Sequence, residues 1–494
     1  MKKRPNILWY CSDQQRFDTI GALGNPHAHT PRLDHFMENS VAYTHTYCQA
    51  PICTPSRASF LTGCYPSTLG VNGNGNEFFP KHYENRLIGN VLAKAGYDCG
   101  LVGKLHLASP MGGGGIENRV EDGYRYFQYS HHSKGPDEYG HEYAEWMKNQ
   151  GVDLFQIMPE KKPAEDYRLG AKLKSHSGLY EPNPEEDNIP PHLHQTHWCT
   201  EKAKEFIRLN RHEDQPWMLS INVFDPHPPF DAPWEYYKRY NPEELPGAHF
   251  KETDLVHQKK LQDAGVDFQS EVKHPEERNY KKIQASYYAM IEQIDYEFGR
   301  LLDYLESIGE LENTLVIFMS DHGEALNDHG LIAKGCRLYE GSVRVPLIIS
   351  FPAQFQKNVV SPALVEMMDL VPTIYELLGL DIPFYMQGKS LLPLLKGDTP
   401  ADKHRDFVRT EFFGAIDFPD QTHATMYRDE RWKLIWYHRK NNLCELYDLQ
   451  NDPWEHNDLS EDKEHQSVKL ELILKCFDES AYIHQPDPPR VHPF

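Results

Sequence analysis

No two cysteines in this chain stand three residues apart. The nine that are present, at positions 11, 48, 53, 64, 99, 199, 336, 444 and 476, are odd in number and irregular in spacing. This excludes a zinc ribbon and a dithiol motif and offers no disulfide framework, so reduced thiols are expected. No apolar run is long enough to span a bilayer, and no membrane partner is expected. The N-terminus, Met1-Lys-Lys-Arg-Pro-Asn6, leads straight into Ile7-Leu-Trp-Tyr10, too short for the apolar region of a signal peptide. The expectation is a cytoplasmic protein, or a periplasmic or secreted one whose leader has been removed. A basic surface is also missing. The formal net charge of -22 argues against a nucleic-acid partner. With such a field, an anionic substrate needs a local positive pocket to draw it in. The glycine-rich stretch Val71-Asn-Gly-Asn-Gly-Asn76 is not followed by Gly-Lys-Ser/Thr, so it is neither a phosphate-binding loop nor a dinucleotide fingerprint.

What is present is a globular composition. Hydrophobic residues make up 39% and aromatics 12% of 494 residues, enough for one large domain and a smaller one. Short continuous apolar runs predict buried strands at Ile7–Cys11, Asp98–Val102, Trp217–Phe224, Thr314–Met319 and Val345–Ser350. Between them, helical spacing predicts helices from Leu87 to Ala95, Thr200 to Asn210 and Tyr280 to Ile308, and one with an internal proline from Val365 to Gly379. The alternation predicts an α/β domain over residues 1–395, with a large, mostly parallel mixed sheet sandwiched by helices. Polar insertions at about 109–195 and 240–278 read as loops lining a cleft. After Pro400 the pattern changes to short strands at Asp406–Phe413, Ala424–Tyr427 and Trp432–Trp436, then one amphipathic helix from Ser467 to Phe477. Residues 396–494 are therefore read as a small α+β subdomain on a short antiparallel sheet, ending in a proline-rich tail from Gln485 to Phe494.

Polar residues gather where the apolar runs stop, the edge at which open parallel sheets bind ligands. Asp13 and Gln14 follow the first run, Lys104 and His106 the second, His227 the third, and Asp321 and His322 the fourth. Alternation puts Lys104 and His106 on one face. Prolines on both sides of His227 restrict its backbone. Asp13, Gln14, Asp321 and His322 suit a divalent cation. Arg57, Lys104, His106, His227 and Lys334 suit a tetrahedral oxyanion. His192, His194 and His197 have no acidic or cysteine partner at ligand spacing and are not read as a metal cluster.

The chain is organised around Ala50-Pro-Ile-Cys53-Thr-Pro55-Ser-Arg57-Ala-Ser-Phe-Leu-Thr-Gly63. Pro55 suits the first turn of a helix. Cys53 then sits at the helix N-terminus, where the dipole favours negative charge. Three readings of Cys53 stand side by side: a buried inert thiol, a thiolate nucleophile, and the residue of a family signature.

That third reading draws on the whole chain. Asp13-Gln14, Cys53-Thr-Pro-Ser-Arg57, Gly103-Lys-Leu-His106, Pro226-His227-Pro228-Pro229-Phe230, Asp321-His322-Gly323 and Lys334 resemble, in order, the motifs of the type I sulfatases, of the alkaline-phosphatase-like superfamily. Arg431-Trp-Lys-Leu-Ile435 and Glu445-Leu-Tyr-Asp448 look like that family's small domain. The resemblance implies a sulfuric ester hydrolase acting on a sulfated substrate, with a weak lean from the aromatic insertions towards sulfated carbohydrate. It implies that a formylglycine-generating enzyme converts Cys53 to formylglycine, whose hydrate is the nucleophile and also a metal ligand. Asp13, Gln14, Asp321 and His322 would complete the metal site. Arg57, Lys104 and Lys334 would hold sulfate, His227, alone or with Lys334, would protonate the leaving alcohol, and His106 would take a proton to release the product. Many members have Asp-Asp at Asp13-Gln14 and Asn at His322. Members with His are taken to use calcium, though an imidazole also suits Mn2+. The alternative is a phosphonate monoester or phosphodiester hydrolase of the same superfamily. Those relatives lack the lysine and histidine found here in Gly103-Lys104-Leu105-His106.

Overall fold

The computed structural model describes residues 4–109, 116–131, 142–152, 182, 189–209, 215–266, 270–415 and 422–483. Much of the 109–195 insertion and the whole tail from Gln485 lie outside the described residues.

Eight strands form the main sheet: β1 (Asn6–Ser12), β2 (Val41–Tyr47), β3 (Asp98–Gly103), β4 (Tyr126–Tyr129), β5 (Trp217–Asn222), β6 (Thr314–Ser320), β7 (Arg344–Ser350) and β8 (Val359–Glu366). Their order is β4-β3-β5-β1-β6-β7-β2-β8. Neighbours from β4 to β6 run parallel, β7 is antiparallel to both β6 and β2, and β8 is parallel to β2. The sheet is thus mostly parallel and mixed.

The central strands read as unbroken apolar runs because both faces are covered. Along β1, Ile7, Trp9 and Cys11 enter one buried cluster while Leu8 and Tyr10 enter the other. Helices Gln195–Leu209 and Tyr280–Ser307 supply Trp198, Phe206 and Phe298 to the second cluster. Helix Cys53–Thr62 supplies Phe60 and Leu61 to the first.

Four further strands, β9 (Val408–Phe413), β10 (His423–Arg428), β11 (Trp432–Tyr437) and β12 (Cys444–Asp448), form a separate antiparallel sheet in the order β12-β11-β10-β9. The C-terminal helix, Gln466–Ile483, follows it. No described helix is long and apolar enough to cross a membrane.

Several elements depart from expectation. The 240–278 insertion contains a twelve-residue helix, Glu252–Asp263. Its weak apolar periodicity and high charge hid it. The helix expected from Val365 begins only at Leu370, because Val359–Glu366 is strand β8. The helix expected from Thr200 starts at Gln195.

Candidate active site

Register aligns the C-terminal ends of the four central parallel strands. Gly103 of β3 pairs with Asn222 of β5, Cys11 of β1 with the same Asn222, and Ser12 with Ser320 of β6. The residues that follow therefore emerge along one edge: Lys104, Asp13, Asp321 and, five residues beyond β5, His227. Gly103 takes φ 98°, and a Cβ there would lie 1.9 Å from the Asn222 carbonyl oxygen, so only glycine permits this closeness of β3 and β5.

Helix Cys53–Thr62 begins opposite this edge. Cys53 is its first residue and Pro55 lies in its first turn, where a missing N–H costs nothing. Ile52, in the N-cap position, has no side-chain cap; instead Asn74 Oδ1 accepts from Thr54 N at 3.0 Å. All ten residues of the helix are buried.

Cys53 Sγ is the centre of the site. Lys334 Nζ lies 3.1 Å from it, His322 Nε2 3.2 Å, Lys104 Nζ 3.6 Å and Asp13 Oδ1 4.0 Å. His106 and His227 also interact with it. Burial pushes the Cys53 thiol up, but Lys104, Lys334 and His322 outweigh burial and hold it well below the ordinary thiol value. Position 53 therefore sits in a strongly positive potential, favourable to any anion there.

The two chemical sets hold each other in place. Arg57 donates from Nε to Asp321 Oδ2 at 2.9 Å and from NH1 to the Lys104 carbonyl at 2.8 Å. Lys104 Nζ contacts Asp13 Oδ2, and Lys334 Nζ donates to Gln14 Oε1 at 2.6 Å. Burial would raise the Asp13 carboxyl, yet Lys104, with help from His227 and Arg57, keeps it far below the usual range. His106 is pushed down to about 4 by burial and Lys104, which leaves it a neutral base at pH 7. Burial and Lys334 likewise lower His227. His227 is only partly buried, while Asp13, Gln14, Cys53, Arg57, Lys104, His106, Asp321, His322 and Lys334 are all buried.

The donors fit a divalent cation. One atom each from Asp13, Cys53, Asp321 and His322 lie within 4.8 Å of one another. His322 Nδ1 faces the Gly323 carbonyl at 3.0 Å, which turns Nε2 to Cys53 Sγ at 3.2 Å and to the two carboxylates at 3.7 Å. That is how a ligating imidazole is oriented. Gln14 stands beside this group, its N–H on Asp321 Oδ1 at 3.0 Å and its φ at 71°.

All ten predicted residues come together, one of them by a different route. Strand β3 stops at Gly103, and His106 reaches Cys53 through a turn with φ 55°, not by strand alternation. Asp225-Pro226 and Pro228-Pro229 beside His227 are cis. His194 and His197 go to different carboxylates, Asp225 at 3.3 Å and Glu297 at 2.8 Å. Three supporting residues were not anticipated. Glu117 accepts from His106 N at 2.6 Å and Leu107 N at 3.0 Å, fixing the turn. Glu324 accepts from Gln14 Nε2 and so turns Oε1 towards Lys334. Asn74 caps the helix. Glu324, three residues past Asp321, carried the clearest signal in the sequence.

The parallel part of the sheet thus carries, along one edge, carboxylates, imidazoles and three cations around one position, an arrangement suited to hydrolysis of anionic esters. The sulfatase family model matches residues 5–380, and that of the N-sulphoglucosamine sulphohydrolase C-terminal region matches 327–480. The chain is 30% identical to an arylsulfatase of Clostridium perfringens (strain 13 / Type A), over 96% of this chain and 93% of that one. It is 25% identical to an N-acetylglucosamine-6-O-sulfatase of Bacteroides thetaiotaomicron, over 95% and 85%. The crystal structure of a phosphonate monoester hydrolase of Agrobacterium radiobacter superposes with a TM-score of 0.77 at 24% identity, over 97% of this chain and 96% of that one. The chain belongs to the sulfatase family and is a sulfuric ester hydrolase.

Proposed function

We propose that the substrate is a sulfated carbohydrate and that residue 53, converted to formylglycine, supplies the nucleophile as its hydrate. The observation that carries this reading is the convergence on one atom, Cys53 Sγ, of both sets: Lys104 and Lys334 from the cationic set, Asp13 and His322 from the metal set. A thiolate nucleophile needs no metal ligands around it. A divalent cation, calcium or Mn2+, would be held by Asp13, Gln14, Asp321, His322 and residue 53, and would lower the pKa of a hydroxyl there to make it nucleophilic at neutral pH. Arg57, Lys104 and Lys334 hold the sulfate oxygens and stabilise the charge that develops on them. His227, the partly exposed member, gives the leaving alcohol its proton. His106, neutral at pH 7, takes the proton that frees the product.

The carbohydrate substrate is supported by the N-acetylglucosamine-6-O-sulfatase relative and by the C-terminal match to the N-sulphoglucosamine sulphohydrolase region. Two measurements test the reading. Mass analysis of the tryptic peptide spanning residue 53, from protein made in its native host, is expected to show the aldehyde or its hydrate; an intact thiol counts against it. A screen of sulfated mono- and oligosaccharides against aryl sulfates is expected to favour a sugar. The phosphonate monoester hydrolase likeness favours a second reading. Lys104 and His106 beside Cys53 speak for sulfate, and turnover of phenyl phosphonate above every sulfate ester would reverse the choice.

A further inference from the structure

Among the described residues, one other group of side chains has the composition and convergence of a metal site. Asp254 lies on helix Glu252–Asp263, His329 in the turn Asp328–Gly330, and His456 in the segment after β12. One donor atom of each lies within 4.8 Å of the others. His456 Nδ1 is 3.0 Å from Asp254 Oδ2, and His329 Nδ1 is 3.6 Å from the same oxygen. Ligands about 2.0–2.2 Å from a tetrahedral ion stand roughly 3.3 Å apart, so these spacings need little adjustment. The side chains are 2%, 6% and 9% exposed for Asp254, His329 and His456.

We infer that Asp254, His329 and His456 form a second divalent-metal site, separate from residue 53 and suited to a borderline ion of the zinc type. Two imidazoles and one carboxylate select such an ion over calcium, which prefers an all-oxygen shell. The carboxylate is already aimed, since Asp254 Oδ2 accepts from Lys251 N at 2.8 Å. The surroundings favour a cation. His249 links the group to Asp328, whose Oδ1 accepts from His249 N at 2.7 Å, while the His249 carbonyl accepts from His329 N at 3.1 Å. Asp328 and Asp18 there share a single guanidinium, Arg16, at 2.8 Å each. Three protein ligands leave a fourth position for water, and the partial exposure of His456 gives a path to it. The three ligands come from three distant stretches of chain. An ion here would staple the 240–278 insertion, the loop leading to Lys334 and the C-terminal region to one another.

The test is direct metal binding to chelator-stripped, full-length protein. Zn2+ is titrated and counted by elemental analysis after dialysis, and Co2+ is titrated with the visible spectrum as readout. The wild type is expected to hold one tight equivalent of Zn2+ that the Asp13→Asn/Asp321→Asn variant keeps. His456→Ala and the bulkier His456→Gln are expected to weaken it at least about tenfold and to remove the tetrahedral Co2+ absorption. Zn2+ that is lost with Asp13 and Asp321 but unchanged in both His456 variants would overturn the site. So would a wild type that retains no Zn2+ beyond residue 53. Should the His456 variants fail to fold, the same titration of Asp254→Asn, which keeps the side chain's shape, takes their place: loss of the Zn2+ supports the site and unchanged Zn2+ overturns it.

Discussion

His227 differs from the rest of the site in reaching the surface. Its Nδ1 faces the Pro228 carbonyl at 2.6 Å, and the ring also interacts with Cys53, as the acid role proposed for it requires. A proton donor matters in proportion to how poor the leaving group is. His227→Ala is therefore expected to lower turnover of alkyl or sugar sulfates by about 10²-fold or more, and to affect nitrophenyl sulfates far less. A series of sulfate esters with rising leaving-group pKa measures this as a steeper slope in the variant. Parallel slopes would take the acid role from His227.

Helix Pro31–Met37 shows how elements here borrow caps from one another. Its own N-cap, Thr30, makes no side-chain cap bond. Asp295, on helix Tyr280–Ser307, accepts from Arg32 N at 3.1 Å and from Leu33 N at 2.7 Å. Burial outweighs those bonds and raises its carboxyl to about 7. A raised carboxyl binds protons in the folded state that it has lost in the unfolded one, so its contribution to stability falls as pH rises from about 4 to 7. Asp295→Asn removes that slope. Urea unfolding between pH 4 and 8 is expected to show the variant gaining on the wild type as pH rises, then levelling; parallel curves would refute it. The same dependence on distant partners sets what could be read from the sequence. β1, β3, β5 and β6 were legible because both their faces are buried, and seven of the ten site residues were legible because they follow those runs; Cys53 and Arg57 were legible from the helix start they form, and Lys334 from the family motifs. β2, with Thr44 and His45 half-exposed in its middle, gave no clear pattern. Nor could local patterns reveal Glu117 or Asn74, which act through contacts that only the fold creates.

Across the whole molecule, the small sheet is tied to the catalytic one by buried charge. Thr410 and Glu411 of β9 bond to the carbonyls of Cys48 and Gln49, just ahead of the helix that begins at Cys53. On β11, Lys433 Nζ reaches Glu455 Oε1 at 2.6 Å and Glu340 Oε1 at 3.2 Å, with no exposure of its side chain. Glu340 lies between the Lys334 loop and β7, and it also accepts from Tyr47 of β2 at 2.8 Å. This network joins both sheets to the segment that places Lys334. Lys433→Met keeps the length of the side chain but leaves two buried carboxylates short of a cation. Breaking a buried pair in this way costs about 3–5 kcal/mol, because the remaining charge stays desolvated. The variant is expected to lose that much stability in urea, and pairing it with Glu455→Gln should restore part of the loss by removing one of the stranded charges. A single variant within about 1 kcal/mol of wild type would mean that Arg344 and Arg428, which also face Glu340, suffice to hold the two sheets together.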